Sequence, residues 1–371
     1  MHPQSVLIVQ LSSLAGVLHA LPAARAIRAA LPAARLGWVV ESGQAGLVRR
    51  QPWIDETIEW DRPRWGGFRE FRRRLSRTAW DIAIDFQGTF RSGLATRWSG
   101  AARRIGYLPS LELAHWFYND CLPLESLDLH AVERNLDLAA KLGAGAADAP
   151  IDRPYLRQSP PVTNGQAPRL FGLQPGEDDL AAVAAWGRTR DFQPRRDQLV
   201  VLNPHASRPA HRWPVGHFIR LAERLLARGR VRVALSGGTA ARETCDEIAA
   251  PFGDAVWRAD GRFGPLGMAA LFSQAGAVVS GDSGPLHLAA AVGAPLVALF
   301  GASSAMRNGP YASNATVLDR ELACSPCMAK RCPLKYDPPL CMEQISVDRV
   351  LAAVLSRLAQ WQQTDPRRKS A

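Results

Sequence analysis

The sequence predicts an α/β protein made of two Rossmann-like domains facing a cleft. Short apolar runs alternate with helical stretches along the chain, which argues for parallel sheets covered on both faces. A Pro-rich segment divides that alternation in two, and 371 residues are long for one core. Two α/β domains joined by a linker enclose a ligand between them more often than elsewhere.

Residues 5–10 (Ser-Val-Leu-Ile-Val-Gln) are the expected first strand. The loop Leu11 to Gly16 leads into a helix over 17–30, where Pro22 marks a kink or a late start. Residues 36–40 read as the second strand, and 53–60 contain a short third. Residues 81–86 (Asp-Ile-Ala-Ile-Asp-Phe) form a buried strand ending in Gln87-Gly88, so Asp85 lies where ligands gather in open α/β sheets. Helical periodicity over 130–142 closes a first domain of residues 1–157. Residues 158–168, with Pro160, Pro161, Gly165 and Pro168, have linker composition. A second domain, 169–345, opens with a strand at 199–202 running into Asn203-Pro204-His205-Ala206-Ser207. A helix over 216–227 follows, then a strand at 231–235 opening onto Ser236-Gly237-Gly238 and a helix through Glu243 and Glu247. Strands at 277–280 and 295–300 complete the set of four, and 346–371 are expected as a C-terminal helix and polar tail.

The stretch Gly281-Asp282-Ser283-Gly284-Pro285-Leu286-His287 joins the strand at 277–280 to an Ala-rich helical segment. A helix that starts at a strand's carboxyl edge offers unpaired N–H groups and a positive dipole end, which suit phosphate, and glycine admits close approach. Asp282 would accept hydrogen bonds from hydroxyls such as a sugar offers, and His287 follows about one helical turn later. The same residues also suit an ordinary turn with an Asp or Ser cap and a buried His.

Between the third and fourth strands, residues 62–77 carry Trp65, Phe68, Phe71 and Leu75 at spacings of three and four, with Arg69, Arg72, Arg73, Arg74 and Arg77 on the remaining face. One reading packs the aromatic stripe on the domain and leaves the arginines solvated. The other is an interfacial helix that meets anionic headgroups or an anionic acceptor. The net charge of +11 implies an anionic partner. Without zinc-finger spacing, an RNP-like sequence or a long Arg-rich tail, an anionic substrate or membrane surface ranks above nucleic acid. No apolar run approaches the roughly 20 residues of a membrane span, and residues 1–10 lack a cationic leader, so the expectation is cytoplasmic.

Four of the six cysteines fall together, Cys324, Cys327, Cys332 and Cys341, spaced C-x2-C-x4-C-x8-C. In a cytosolic chain four thiolates with a CxxC start suit tetrahedral zinc or an iron centre, against the alternative of reduced cysteines in an irregular loop. Such a metal would be structural, because four protein ligands leave no open position. Cys121 and Cys245 stand alone and read as buried apolar residues.

Several segments, in this order, resemble glycosyltransferase family 9, the ADP-heptose:lipopolysaccharide heptosyltransferases. They are Ser12-Ser13-Leu14 with Val17-Leu18-His19 and Leu21-Pro22, Asp85-Phe86-Gln87-Gly88, Arg104-Ile105-Gly106-Tyr107, and His130-Ala131-Val132-Glu133-Arg134. The second half adds Asn203-Pro204 to Arg212-Trp213-Pro214, Ser236-Gly237-Gly238, and Asp282-Ser283-Gly284 with His287. The resemblance implies the GT-B architecture, the nucleotide sugar in the C-terminal half, the acceptor in the N-terminal half, and inverting transfer of heptose without a cofactor. It further implies that Asp282 binds heptose hydroxyls, that Ser283 and Gly284 begin the helix holding the diphosphate, that Ser207 adds a phosphate contact and that Glu243 meets the nucleoside. A similar Cys-Ser-Pro-Cys and Cys-Met pattern occurs in other members. The enzyme would work as a peripheral protein at the inner face of the inner membrane.

Two positions depart from the family pattern. The family's first loop carries Gly-Asp, whose Asp is the proposed base, where this chain has Ala15-Gly16. A family Lys that binds donor phosphate is His211 here, with Arg212 or a protonated His211 as substitutes for its charge. Loss of a general base removes about 10²- to 10⁴-fold in rate, so a slow enzyme, a relocated base and a binding protein all fit. Candidates for a relocated base are His19 and Asp85. The leading expectation is heptose transfer from ADP-heptose to a lipopolysaccharide inner-core acceptor. The alternatives are a catalytically impaired nucleotide-sugar-binding homologue that acts through partners, and a heptosyltransferase whose acceptor is a protein.

Overall fold

A computed structural model describes residues 3–60, 67–124, 128–143, 170–311, 314–320 and 322–364. The expected linker at 158–168, the polar tail, and Arg62 and Trp65 of the basic segment lie outside them. The chain divides into two compact units, a first through Arg157 that also takes in Leu170–Leu173, and a second from Gln174 onward.

The first unit is built on β1 (Ser5–Val9), β2 (Arg35–Val40), β3 (Glu56–Glu59), β4 (Ile82–Asp85), β5 (Arg103–Leu108) and β6 (Asp120–Pro123). They form one parallel sheet ordered β3-β2-β1-β4-β5-β6. All five β1 residues are buried, which is why that strand reads as a continuous apolar run. Its helices are α1 (Leu14–Ala30), α2 (Ser42–Arg49), α3 (Gly67–Leu75), α4 (Phe90–Trp98) and α5 (Ala131–Ala140). Helix α1 starts at Leu14, before the expected residue 17, and carries Pro22 in its buried interior.

The second unit repeats the design. Strands β7 (Gln198–Asn203), β8 (Val231–Leu235), β9 (Val256–Arg258), β10 (Ala277–Gly281), β11 (Leu296–Phe300) and β12 (Ala315–Asp319) are ordered β12-β11-β10-β7-β8-β9, again parallel. Helices α6 (Glu177–Arg188), α7 (Val215–Leu226), α8 (Arg242–Ala249), α9 (Pro265–Ser273), α10 (Gly284–Ala291) and α11 (Val347–Thr364) surround it. The C-terminal helix belongs to this unit. Val350, Leu351, Val354, Leu358 and Trp361 of α11 are buried, and a Cβ at Gly276 would fall 2.8 Å from Leu358.

Four strands, β5, β6, β9 and β12, lie beyond those expected from sequence. Strand β5 opens Arg-Arg and contains Gly106, where a Cβ would fall 2.1 Å from the Tyr118 ring. The described part of the basic segment contains a nine-residue helix, Gly67–Leu75, whose Phe71 and Leu75 pack inward. Phe71 is buried and stacks on Trp60 at 4.2 Å, Leu75 is buried, and Phe68 meets the edge of Trp98 at 5.9 Å. Arg69, Arg72, Arg73 and Arg74 remain exposed. No helix among the described residues is long and apolar enough to cross a membrane.

Candidate functional site

In both sheets the strand order reverses beside the first strand, between β1 and β4 in one unit and between β7 and β10 in the other. Ligands of open α/β sheets bind outside the carboxyl ends at such a reversal.

At the first reversal Val9 pairs with Asp85. The Asp85 carboxylate is buried and engaged at both oxygens. Oδ1 accepts from the backbone N–H of Gln87 (2.9 Å) and Gly88 (3.0 Å), and Oδ2 accepts from the Tyr118 hydroxyl (2.6 Å). Burial pushes this carboxyl above its ordinary value despite those bonds, and burial with the Asp85 charge pushes the Tyr118 phenol up as well. The turn that Asp85 shapes presents Gln87, whose Oε1 accepts from Leu11 N–H (2.8 Å) and Ser12 N–H (3.0 Å). Gln10 Nε2 donates to Ser12 O at 2.6 Å. Gly16 lies in the first turn of α1, and a Cβ there would fall 2.6 Å from Gln10 Nε2, so close approach rather than backbone conformation favours glycine. His19 is buried on α1 with its ring 5.1 Å from that of His130, the residue that caps α5 by accepting from Val132 N–H. Gly16 and Asp85 thus come to one sheet edge, while the His19 ring meets His130.

At the second reversal Asn203 pairs with Ser280. Asn203 Nδ2 lies within hydrogen-bond reach of His205 O (3.1 Å), Ser280 Oγ (3.0 Å) and Ser283 Oγ (3.2 Å), which fixes the end of β7 to the start of α10. A Cβ at Gly281 would fall 2.4 Å from His211 O, so only glycine lets the turn at 209–211 lie against the end of β10. That contact brings His211 to Asp282. Its Nδ1 is 3.3 Å from Asp282 Oδ2 and 3.3 Å from the Asp282 carbonyl oxygen. His287 Nε2 lies 3.7 Å from Asp282 Oδ1, and Asn308 Nδ2 donates to Oδ2 at 3.4 Å. Ser283 occupies the N-cap of α10 without a side-chain cap bond, and Pro285 follows in the first turn.

Burial works against the Asp282 charge, but His287, His211 and Ser303 outweigh it and hold the carboxyl below its ordinary value. Asp282 is therefore a carboxylate at neutral pH. His211 is pushed down by burial, which outweighs Asp282, so it is neutral there and supplies no charge in place of a lysine. Two acceptors face Nδ1, which places the proton on it and leaves Nε2 a buried acceptor. Arg212 lies in the adjoining loop, where its Nε donates to Ala206 O at 2.7 Å. Its proximity, after burial, pushes His205 down. Ser207 is exposed in the same loop, and Glu243 is exposed in the first turn of α8.

Asn203 Oδ1, His205 Nδ1, His211 Nε2 and Ser236 Oγ are buried atoms without a hydrogen-bond partner among the described residues. These four lie at the carboxyl ends of β7 and β8 and in the loop after β7, where water or a polar ligand can pair with them. His205 and Ser236 stand in stretches that sequence motifs pointed to, whereas Asn308 carried no sequence signal.

The four clustered cysteines line one cavity, with Ala210 and Ala302 also in its wall. Cys341 is buried, Cys332 half-buried, and Cys324 and Cys327 exposed. Burial and the other three thiols push the Cys341 thiol up. A donor set of four thiols around one cavity fits zinc or iron in kind, although among the described residues no three candidate ligands lie at coordinating spacing. The loop is tied to both sides of Asp282, since Ala210 N–H donates to Lys330 O (3.2 Å) and Met328 N–H to Ala302 O (2.7 Å). Ala210 and Ala302 adjoin His211 and Ser303. Of the lone cysteines, Cys245 is buried with its thiol pushed up to about 12, while Cys121 on β6 is only half-buried.

Residues 68–336 match the model of glycosyltransferase family 9 (heptosyltransferase). Lipopolysaccharide heptosyltransferase 1 of Pseudomonas aeruginosa is 31% identical over 93% of this chain and 95% of its own length. Among solved structures, Escherichia coli ADP-heptose lipopolysaccharide heptosyltransferase II matches with a TM-score of 0.76 at 23% identity, over 96% of this chain and 99% of the other, and shares the GT-B fold class. The E. coli heptosyltransferase WaaC with ADP matches with a TM-score of 0.68 at 25% identity, over 95% of this chain and 99% of the other. This chain therefore belongs to glycosyltransferase family 9, the heptosyltransferase family.

Proposed function

We propose that the protein is an inverting glycosyltransferase that moves heptose from ADP-heptose to a lipopolysaccharide inner-core acceptor, with the donor held by the second unit and the acceptor by the first. The observation that carries this reading is the ionised Asp282, held between His211 and His287 at the start of α10, where the strand order of the second sheet reverses. Asp282 accepts hydrogen bonds from heptose hydroxyls, and His211 Nε2 offers a second acceptor. The start of α10 receives the diphosphate, with Arg212 and Ser207 in the loop after β7 as further contacts and Glu243 toward the nucleoside. As the bond from the anomeric carbon to the diphosphate oxygen breaks, the new bond forms to an acceptor oxygen, whose proton must leave. Helix N–H groups and Arg212 stabilise the charge that collects on ADP without a metal.

A second reading, donor binding without turnover through partners, draws support from the first unit. Gly16 brings no carboxylate, both Asp85 oxygens are engaged, and the His19 ring packs against His130. Zinc or iron bound by Cys324, Cys327, Cys332 and Cys341 would brace the loop at 324–341 and serve structure alone. The protein works in the cytoplasm as a peripheral protein at the inner face of the inner membrane, and nucleic acid is not among its partners. Purified protein given ADP-heptose and heptose-free lipopolysaccharide should release ADP and raise the acceptor mass by one heptose. Donor binding with neither product would favour the second reading, and a heptose gained by a polypeptide would point to a protein acceptor.

A further inference from the structure

We infer that Leu111–Phe117, a 3₁₀ stretch broken by a left-handed kink between β5 and β6, is a wedge that seats the first unit on an anionic lipid bilayer. Leu111 is 68% exposed, Trp116 69% and Leu113 48%, and Leu108 and Phe90 beside them are each 46% exposed. Among the described residues of the first unit, Phe68 is the one large exposed hydrophobic outside this cluster. Single exposed apolar side chains are ordinary, but five gathered around one segment mark an interaction surface.

The segment is held firmly from below. A Cβ at Gly93 of α4 would fall 2.6 Å from the Phe117 ring, so α4 receives the segment at its backbone. Phe117 meets the edge of Phe90 at 5.1 Å, and Ser110 Oγ accepts from His115 N–H at 2.7 Å. Ala114 and Tyr118 are buried while Leu111, Leu113 and Trp116 point away. Glu112 and Leu113 hold φ values of 51° and 61°, the left-handed region that such residues seldom occupy. That strained turn presents leucine to solvent instead of burying it, and strain of this kind collects at functional surfaces.

Charge selects the occupant. Arg104 Nε donates to Phe117 O at 2.8 Å, and its guanidinium is pushed down by burial and by neighbouring Arg97. Helix α3, which packs on α4, exposes Arg69, Arg72, Arg73 and Arg74, against Glu70 on the same helix and Glu112 on the wedge. Exposed leucine and tryptophan packed on one side of α4, with the arginines of α3 on a helix that packs on the same α4, suit a surface of acidic headgroups over acyl chains. A second copy of this chain would set arginine against arginine. The basic segment, for which the sequence left a core-packed and an interfacial helix both open, supplies charge with Phe71 and Leu75 buried, while the wedge supplies insertion. Tyr118 then links the wedge through Asp85 and Gln87 to the loop at Leu11 and Ser12, the edge where the proposed acceptor binds.

The inference deepens the reading of a lipid-borne acceptor, yet its test needs neither donor nor acceptor. Full-length protein is floated with vesicles of phosphatidylcholine alone or mixed equally with phosphatidylglycerol. Wild type should float with the anionic vesicles, and Leu111→Ser/Trp116→Ser should lose about 10-fold or more of that partition with its circular dichroism unchanged. Should that variant misfold, brominated-lipid quenching of wild-type fluorescence that Trp116→Phe removes gives the same answer. Wild type that ignores anionic vesicles, or a folded double variant that floats as well as wild type, would overturn the inference. Self-association in sedimentation that the double variant abolishes, without vesicle binding, would overturn it in favour of a second copy.

Discussion

Restoring a carboxylate at position 16 probes the acceptor side, and the structure sets the size of the effect. Gly16 is helical, so aspartate meets no backbone obstacle, but its Cβ would fall 2.6 Å from Gln10 Nε2. The Gln10 amide must then leave Ser12 O, which it holds at 2.6 Å. One lost hydrogen bond in a partly buried site costs about 1 kcal/mol, rising to about 3 if the Ser12 carbonyl stays unpaired. Replacing glycine in a helix returns a few tenths of a kcal/mol, for a net loss of roughly 1–3 kcal/mol. Melting of a unit this size should therefore fall by roughly 2–12 °C. A general base contributes about 10²- to 10⁴-fold, so Gly16→Asp should raise turnover about 10-fold or more even with imperfect placement. Gln10→Ser/Gly16→Asp, which opens the space, should gain more and melt closer to wild type. ADP release with donor and acceptor saturating is the assay. Folded variants with no gain, together with a large loss in His19→Ala or Asp85→Asn, would show that another group takes the proton.

Freshly purified protein should carry about one zinc or iron per chain, absent from Cys324→Ser/Cys327→Ser, which should also melt lower. Metal analysis that finds neither element would remove the site. Because Lys330 and Met328 brace Ala210 and Ala302, the same variant should raise the donor KM more than it lowers kcat. Acidification should weaken the second unit. Burial lowers His205, His211 and His217 below their ordinary 6.5, so the unfolded chain binds more protons and stability falls as pH drops from about 6.5 through the folded values. Asp282, also held low, adds its loss only at more acid pH. Thermal melts between pH 7.5 and about 5 should show the slope, and His211→Asn should reduce it; a flat profile would contradict the neutral burial of these histidines.

Strands β1, β2, β7, β8, β10 and β11 were legible because each is a run of buried apolar residues. Strands β6 and β9 are four and three residues long, β12 is half-exposed, and β5 begins with two arginines, so none carries that signal. The turn after β10 could be read as an anion site, since strand, glycine and helix are contiguous there. What holds Asp282 could not, because His211 comes from 71 residues away through a contact that only Gly281 allows. Asp85 was legible as a strand-end carboxylate, but Tyr118, which occupies one of its oxygens, lies 33 residues on. Helical spacing in the basic segment told its apolar face from its charged one, yet whether that face met lipid or core depended on Trp60 and Trp98. The exposure of Leu111, Leu113 and Trp116, beside the left-handed turn at Glu112 and Leu113, carries no signal in the sequence.

Calorimetric titration of ADP-heptose into wild type, Asp282→Ala and His287→Ala tests most directly whether the second reversal point holds the donor. Wild type should bind one donor per chain, and each variant should bind about 10-fold or more weakly, since each removes a charged or charge-orienting partner of the sugar and diphosphate. Unchanged affinity in both variants, with melting curves showing intact folding, would place the donor elsewhere.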